Sequence, residues 1–217
     1  HKDILVFREG GRMEPFNFTV PFPQPYIPRA LTYEIPGRIL ADGSEMAPIN
    51  DTQVIKIIED LKDKKIESIA VCLLWSIVNS EHEERVGELI TKHLPGVPYT
   101  LSHILNPSLR EYRRASSAAI DASLKPLMSE YMQNLSGRLH ESGFSGRVLI
   151  VTSQGGVMDA EDIANSPIHL INSGPSMAPV SGRYFARIDE TSDTAVIADT
   201  GGTTYDVSLV RKGGIPW

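Results

Sequence analysis

Thr194-Ala195-Val196-Ile197-Ala198-Asp199-Thr200-Gly201-Gly202-Thr203-Thr204-Tyr205-Asp206-Val207-Ser208-Leu209-Val210 is the stretch on which the reading of the fold turns. An apolar run from Thr194 to Ala198 enters Asp-x-Gly-Gly-Thr-Thr, and Val207 to Val210 leaves it with strand-like alternation. Strand, turn and strand predict a hairpin. Phosphate loops of the Walker A and dinucleotide types run from strand into helix, so this is neither. Gly201 and Gly202 lack a Cβ, which lets their backbone approach a ligand and adopt positive φ. Amide groups presented by such a turn bind anions, and the hydroxyls of Thr203 and Thr204 add donors. Asp199 at the strand end has the chemistry to hold a divalent cation or orient a water, with Asp206 as a second candidate. A ligand-free turn accounts for the same residues, since threonine and aspartate also satisfy turn backbone.

Working outward, the chain alternates strand and helix patterns. Residues 30–40 read as a strand broken by Pro36, turning at Asp42-Gly43. Asn50 or Asp51 caps a helix whose Val54, Ile57, Ile58 and Leu61 share one face. The run Ile69 to Trp75 predicts a buried parallel strand. Ser80-Glu81-His82-Glu83 fits a capping box for a second helix, with Val86, Leu89, Ile90 and Leu94 inward and Pro95-Gly96 as its stop. Val97 to Leu101 supplies another strand. This order predicts a parallel sheet with helices on its face. Residues 108–143 read as helix, interrupted at Pro126, with Leu127, Tyr131, Leu135 and Leu139 inward. Arg147 to Val151 reads as a further buried strand.

The fold class expected is therefore α/β, with mixed sheets and flanking helices. The expected organisation is an α/β portion over 1–105, a helical connector over 106–146, and a second α/β portion over 147–217 that carries the hairpin. The proline-rich start (Pro15, Pro21, Pro23, Pro25, Pro28) reads as an extended strap, with Phe16, Phe18, Phe22 and Tyr26 packing onto the protein.

Two further loops sit where ligands gather in α/β proteins. Ser153-Gln154-Gly155-Gly156 follows a strand at its carboxyl end; a tight strand-to-helix turn explains it equally well. Ser173-Gly174-Pro175-Ser176 opens a helix and presents amides to an anion, or simply caps it. Among the six histidines none shows the metal-protease pairing, and most are read as surface or helix-end residues. Arg110, Arg113 and Arg114 form an anion patch, or else a solvated helix face or domain-domain ion pairs, the reading preferred here.

With a net charge of −6 and no basic stripe, nucleic acid is not an expected partner. No apolar run reaches the roughly 18 residues of a membrane helix, so no membrane partner is expected. The lone Cys72 suits a reducing, cytoplasmic compartment. The opening at His1-Lys2-Asp3 and the ending at Ile215-Pro216-Trp217 read as cuts through a longer protein.

The hairpin turn resembles the phosphate loops of the actin, sugar-kinase and heat-shock-chaperone ATPase superfamily, with its ribonuclease H-like domains. The order of landmarks is similar, across nearly the whole chain, to the A-type subunits of the hydantoinase/oxoprolinase family. Those landmarks are His1-Lys2-Asp3-Ile4-Leu5, Pro28-Arg29-Ala30-Leu31, Ile35-Pro36-Gly37-Arg38, Ala70 to Ser76, Asn79-Ser80-Glu81-His82-Glu83, Arg110 to Arg114 with Lys125-Pro126, Gln154 to Met158, Ser173-Gly174-Pro175 and the Asp199 turn. Met177-Ala178-Pro179 departs from the small residues the family carries there.

The resemblance implies part of an actin-like ATPase fold within a longer polypeptide whose first phosphate loop and adenosine segment lie elsewhere. It implies ATP with Mg²⁺ or another divalent metal, and a B-type partner subunit or domain. It implies ATP-dependent ring opening of a cyclic amide, as in N-methylhydantoinases and 5-oxoprolinases. Acetone and acetophenone carboxylases resemble the same family, so a ketone is the alternative substrate; a non-catalytic nucleotide-responsive module is the third. The residues implied at the nucleotide are Asp199 (catalytic and metal), Asp206 (metal), Gly201, Gly202, Thr203, Thr204, Ser153, Gly155, Gly156, Ser173 and Gly174. The fragment alone is expected to be inactive.

Overall fold

The computed structural model describes residues 1–10, 14 and 16–216. Pro15 of the proline series and the terminal Trp217 lie outside the described residues. The chain divides into two compact units, His1–Leu127 and Met128–Trp217.

The first unit runs α1 (Ile4–Phe7), a 3₁₀ turn (Arg29–Leu31), β1 (Arg38–Ile39), β2 (Glu45–Ala47), α2 (Asp51–Asp63), β3 (Ile69–Val71), α3 (Glu81–His93), β4 (Tyr99–Leu101), α4 (Ser102–Leu105) and the first part of α5 (Glu111–Glu141). β3 and β4 pair in parallel, Ile69 opposite Tyr99 and Val71 opposite Leu101, with α3 as the crossover. This is the expected strand–helix–strand unit. Asn50 caps α2 by accepting the Gln53 N–H at 3.1 Å. Val54, Ile58, Val71, Val86, Leu89, Ile90 and Leu94 form the core of the unit. Each such buried side chain contributes roughly 1.5–3 kcal/mol.

Several local expectations give way to tertiary demands. Residues 30–40 form only the 3₁₀ turn and the two-residue β1, which pairs antiparallel with β2 as a small hairpin. Pro36 has no N–H to donate to a ladder, which keeps the strand short. The run 69–75 is strand only to Val71, and Trp75 sits at φ 59, a sharp backbone reversal. Phe16 and Phe18 are 91% and 79% exposed, and Phe22 lies edge-on to Phe7.

The capping box does not form. Ser80 makes no cap hydrogen bond, and its hydroxyl reaches Glu84 instead. Glu83 is drawn inward and is fully buried. Its carboxylate accepts from the Leu73 N–H (2.7 Å), the Ser102 hydroxyl (2.7 Å), the His103 N–H (3.1 Å) and His103 Nδ1 (2.7 Å). Arg114, 1% exposed, completes the cluster by donating to Leu73 O (2.7 Å), Ser108 O (3.2 Å) and Ser102 Oγ (3.3 Å). A buried ionised carboxylate is tolerated only with such complete pairing. His82 is likewise buried, with Nε2 2.7 Å from Glu45 Oε1. His82, the second residue of α3, is the helix-end residue expected, but a buried one.

α5 contributes to both units and runs through Pro126 without a break. Proline removes one helix hydrogen bond and crowds the carbonyl four residues back, a cost of about 3 kcal/mol. Burial of Ala118, Ala119 and Ala122 before it, and of Met132 after it, offsets that cost. The inward stripe of the second part is Met128, Met132 and Leu135; Leu127 and Tyr131 face solvent.

The second unit continues with β5 (Leu149–Val151), β6 (Val157–Asp159), α6 (Ala160–Asn165), a 3₁₀ turn (Pro167–Leu170), α7 (Ser173–Asp189), β7 (Ala195–Thr200) and β8 (Tyr205–Val210). β5 and β6 pair antiparallel, and so do β7 and β8. Met132, Ala160 and Ile163 form its small core, with Met128, Leu135, Val148, Ile150 and Met158 around them. β5 is not the fully buried strand expected: Leu149 is 51% exposed. Asp159 caps α6 by accepting the Glu161 N–H.

Candidate functional site

The hairpin is present as read from its residues; β7 starts one residue later than expected, at Ala195, and both strands run two residues further into the turn, to Thr200 and from Tyr205. All six pairs of β7 and β8 are in register, from Ala195 opposite Val210 to Thr200 opposite Tyr205. Alternation divides its side chains between two faces. Ala195, Ile197 and Asp199 lie on one face with Val210, Ser208 and Asp206. Val196, Ala198 and Thr200 lie on the other with Leu209, Val207 and Tyr205. α7 covers the first face at Gly182, whose missing side chain leaves the room that Ile197 occupies. The second face is open, with Val196 72% exposed.

Asp199 and Asp206 are direct cross-strand partners on the α7 face. Like charges directly opposite destabilise a sheet unless something neutralises them, and a cation is the natural neutraliser. Thr204 Oγ1 donates to Asp206 Oδ2 at 2.8 Å. Asp199 also lines a cleft of about 410 Å³ with Met177, Ala178, Gly182 and Phe185 of α7.

The turn from Gly201 to Thr204 is closed by the Gly201 N–H donating to Thr204 O at 2.9 Å. Neither Gly201 nor Gly202 has positive φ, contrary to the sequence expectation. Their value is spatial. A Cβ placed on Gly202 would meet no atom within 4 Å, so its backbone is open to a ligand. Thr203 and Thr204 are exposed beside it.

The two secondary loops meet on α7. Ser153 to Gly156 is a hairpin turn from β5 into β6, not a strand-to-helix turn. Thr152 N–H donates to Gly156 O at 2.9 Å, and Gly155 takes φ +75, which glycine alone adopts without strain. The Ser176 hydroxyl, in the first turn of α7, donates to Thr152 O (2.9 Å) and Ser173 O (2.7 Å). Ser173 and Gly174 begin the helix after Asn172, which sits in the left-handed region and supplies no side-chain cap. One helix thus touches the 153–156 turn near its start and β7 further along. Only the small residues Ser176 and Gly182 hint at this tie in the sequence.

Arg110, Arg113 and Arg114 do not form a patch. Arg114 is buried, Arg113 makes two hydrogen bonds to Glu9, and Arg110 is exposed at φ 77. Burial pushes the Cys72 thiol up to about 11, so it is protonated and unreactive at neutral pH. Among the described residues, no group of three or more metal-ligating side chains converges, and no helix is long and apolar enough to cross a membrane. A divalent ion at Asp199 and Asp206 would need phosphate oxygens and waters to complete its shell, which is how Mg²⁺ is commonly held.

The chain belongs to the hydantoinase/oxoprolinase family. Residues 114–216 match the family model described as hydantoinase/oxoprolinase, and residues 1–94 match that of its N-terminal region. Caprolactamase subunit alpha of Pseudomonas jessenii is 30% identical over 99% of this chain and 31% of its own length. The acetophenone carboxylase gamma subunit of Aromatoleum aromaticum is 32% identical over 89% of this chain and 27% of its own. The crystal structure of the ATP-dependent caprolactamase from Pseudomonas jessenii superposes with a TM-score of 0.82 at 29% identity, covering 96% of this chain and 30% of that one. The chain therefore spans less than a third of the length of these relatives.

Proposed function

We propose that these residues are part of an ATP-dependent enzyme that opens a cyclic amide, and that the Asp199 hairpin contacts the phosphates. The observation that carries this reading is the position of Asp199. It stands at the end of β7 on the α7 face, opposite Asp206, two residues before an open glycine turn. The names of the relatives support the reaction class, since one is an ATP-dependent caprolactamase.

ATP supplies a phosphoryl group that turns the ring carbonyl oxygen, a poor leaving group, into a good one. The chain's own contribution is placement and charge. Asp199 and Asp206 hold Mg²⁺ or another divalent metal, or orient the attacking water. The amides of Gly201 and Gly202 and the hydroxyls of Thr203 and Thr204 donate to phosphate oxygens. Ser153, Gly155, Gly156, Ser173 and Gly174 form a second group of donors tied to the same helix. The actin-like ATPase architecture supplies the frame. A B-type partner subunit accords with relatives that are themselves named as subunits. A cytoplasmic setting accords with the protonated Cys72. The 32% identity to the acetophenone carboxylase gamma subunit keeps ketone carboxylation as the second reading.

The test follows ATP hydrolysis by the full-length protein with its partner, given caprolactam, hydantoin, 5-oxoproline, or acetone plus bicarbonate. One cyclic amide is expected to stimulate hydrolysis, and Asp199→Ala to lower the stimulated rate by about 10²-fold or more. Stimulation by the ketone pair alone would move the protein to the second reading. An Asp199→Ala rate equal to wild type would reduce the turn to a structural hairpin. The 217 residues alone are expected to turn over no ATP.

A further inference from the structure

The cleft beside Asp199 lies wholly within the second unit. Its volume of about 410 Å³ is that of a small-molecule site. Met177, Ser181 and Phe185, spaced i, i+4 and i+8, form one wall from a single face of α7. Ile197 of β7 lines the cleft from the strand side, and Asp199 follows it toward the glycine turn. The helix and the strand can come this close because Gly182 has no side chain: a Cβ there would stand 2.1 Å from Ile197 Cγ1. The Phe185 ring is steadied by Tyr184, which meets it edge-on at 5.4 Å between centroids. The chemistry of the lining is one-sided. Its only polar side chains are Ser181 and Asp199, and none of its residues is cationic. Arg183 and Arg187, on the same helix, stand outside the lining. A ligand carboxylate placed here would lose water beside Asp199 with no positive side chain to meet it. A divalent ion at Asp199 and Asp206 does not change this, because those two carboxylates and the phosphates already meet its charge. Extra amide groups on a ring would lose water against Met177 and Phe185, whereas methylene groups gain from the same contact.

We infer that this cleft receives the substrate ring, and that Met177 and Phe185 select a neutral aliphatic lactam over a ring that carries a carboxylate or a second amide. The inference rests on the proposed ring-opening reaction and specifies its substrate. The methylenes of the lactam lie against Met177, Phe185 and Ile197. Its amide faces the Asp199 end, toward the phosphates at the turn. Discrimination arises from what the lining lacks: a substrate carboxylate finds no cation, and a second amide finds too few partners for its donors and acceptors.

The experiment uses the full-length protein with its partner and three probes: ε-caprolactam, hydantoin and 5-oxoproline. Wild-type kcat/KM, followed by ATP consumption, is expected to be at least about 10-fold higher for caprolactam than for either of the others. Phe185→Ala is expected to raise KM for caprolactam by about 10-fold and to leave kcat within a factor of about two, the pattern of lost ground-state binding. Phe185→Leu, which keeps the wall apolar, should recover most of that loss. Met177→Arg puts a cation into the cleft, and is expected to raise KM for caprolactam and lower it for 5-oxoproline. Neither side chain is fully buried, so both variants should fold, and an unchanged Tm checks this. Calorimetric binding of caprolactam in the presence of a non-hydrolysable ATP analogue should weaken in step with KM. Wild-type preference for 5-oxoproline or hydantoin overturns the inference. So does a KM for caprolactam that Phe185→Ala and Met177→Arg both leave unchanged, whatever happens to kcat. If no cyclic amide makes the wild type consume ATP, the functional reading fails first and takes this inference with it.

Discussion

Glu83→Ala is expected to destabilise the first unit by about 3–5 kcal/mol, the usual cost of breaking a buried charged network from one side. The substitution removes four accepted hydrogen bonds at once. It leaves the Leu73 amide, the Ser102 hydroxyl and His103 without their acceptor in a region where water cannot replace it. The Ser102 hydroxyl that accepts from the nearly fully buried Arg114 loses the acceptor that orients it. Because this carboxylate joins the segment after β3 to α4, and Arg114 of α5 bonds the same Ser102 and Leu73, their loosening should be cooperative. Urea denaturation followed by Trp75 fluorescence, in a Trp217→Phe background, reads the effect directly. A midpoint shift worth under 1 kcal/mol would mean that the cluster is solvated and that its hydrogen bonds contribute little.

Ile163→Ala should be the most damaging single truncation in the second unit, at about 2–5 kcal/mol. Ile163 has no exposed surface and is one of only three buried side chains that form the local core with Met132 and Ala160. A core this small has few neighbours to close over the lost methyl groups, so a cavity remains. Leu149→Ala is the control. Its side chain is half in solvent, and its loss is expected to cost under about 1 kcal/mol. Amide hydrogen exchange in α6 and β5 separates the two. Equal protection in both variants would show that Ile163 is not the centre of the unit.

Much of this architecture was legible in the sequence, for identifiable reasons. α2 and α3 carry strong apolar periodicity between clear end signals, so their buried faces, Val54-Ile58-Leu61 and Val86-Leu89-Ile90, were read correctly. The β7–β8 hairpin was visible because its glycine turn separates two apolar runs. The errors share one cause, which is tertiary competition for a residue with a strong local preference. Glu83 suits a capping box, but the amides at the ends of β3 and β4 needed an acceptor more. Pro126 suits a break, but the helix is packed on both sides of it. Leu127 and Tyr131 share a spacing with Leu135, yet only Leu135 packs inward, and Met128 and Met132 take the places expected of the other two. Of the candidate site, the residue types were readable and their convergence was not. That the 153–156 turn and β7 share α7 depends on Ser176, readable only as part of a helix-opening turn, and on Gly182, which no pattern singles out.

The open face of the hairpin has a practical corollary for anyone handling these residues. Val196, Val207, Tyr205 and Leu209 present an uncharged, largely apolar β surface to solvent, the kind of surface that recruits further copies of itself edge to edge and face to face. Purified as a separate piece, the polypeptide should be colloidally unstable, clouding with concentration long before it denatures. Lysine at Val196 and glutamate at Val207, neighbours on that surface, are the substitutions that should keep it in solution without touching the face that carries Asp199.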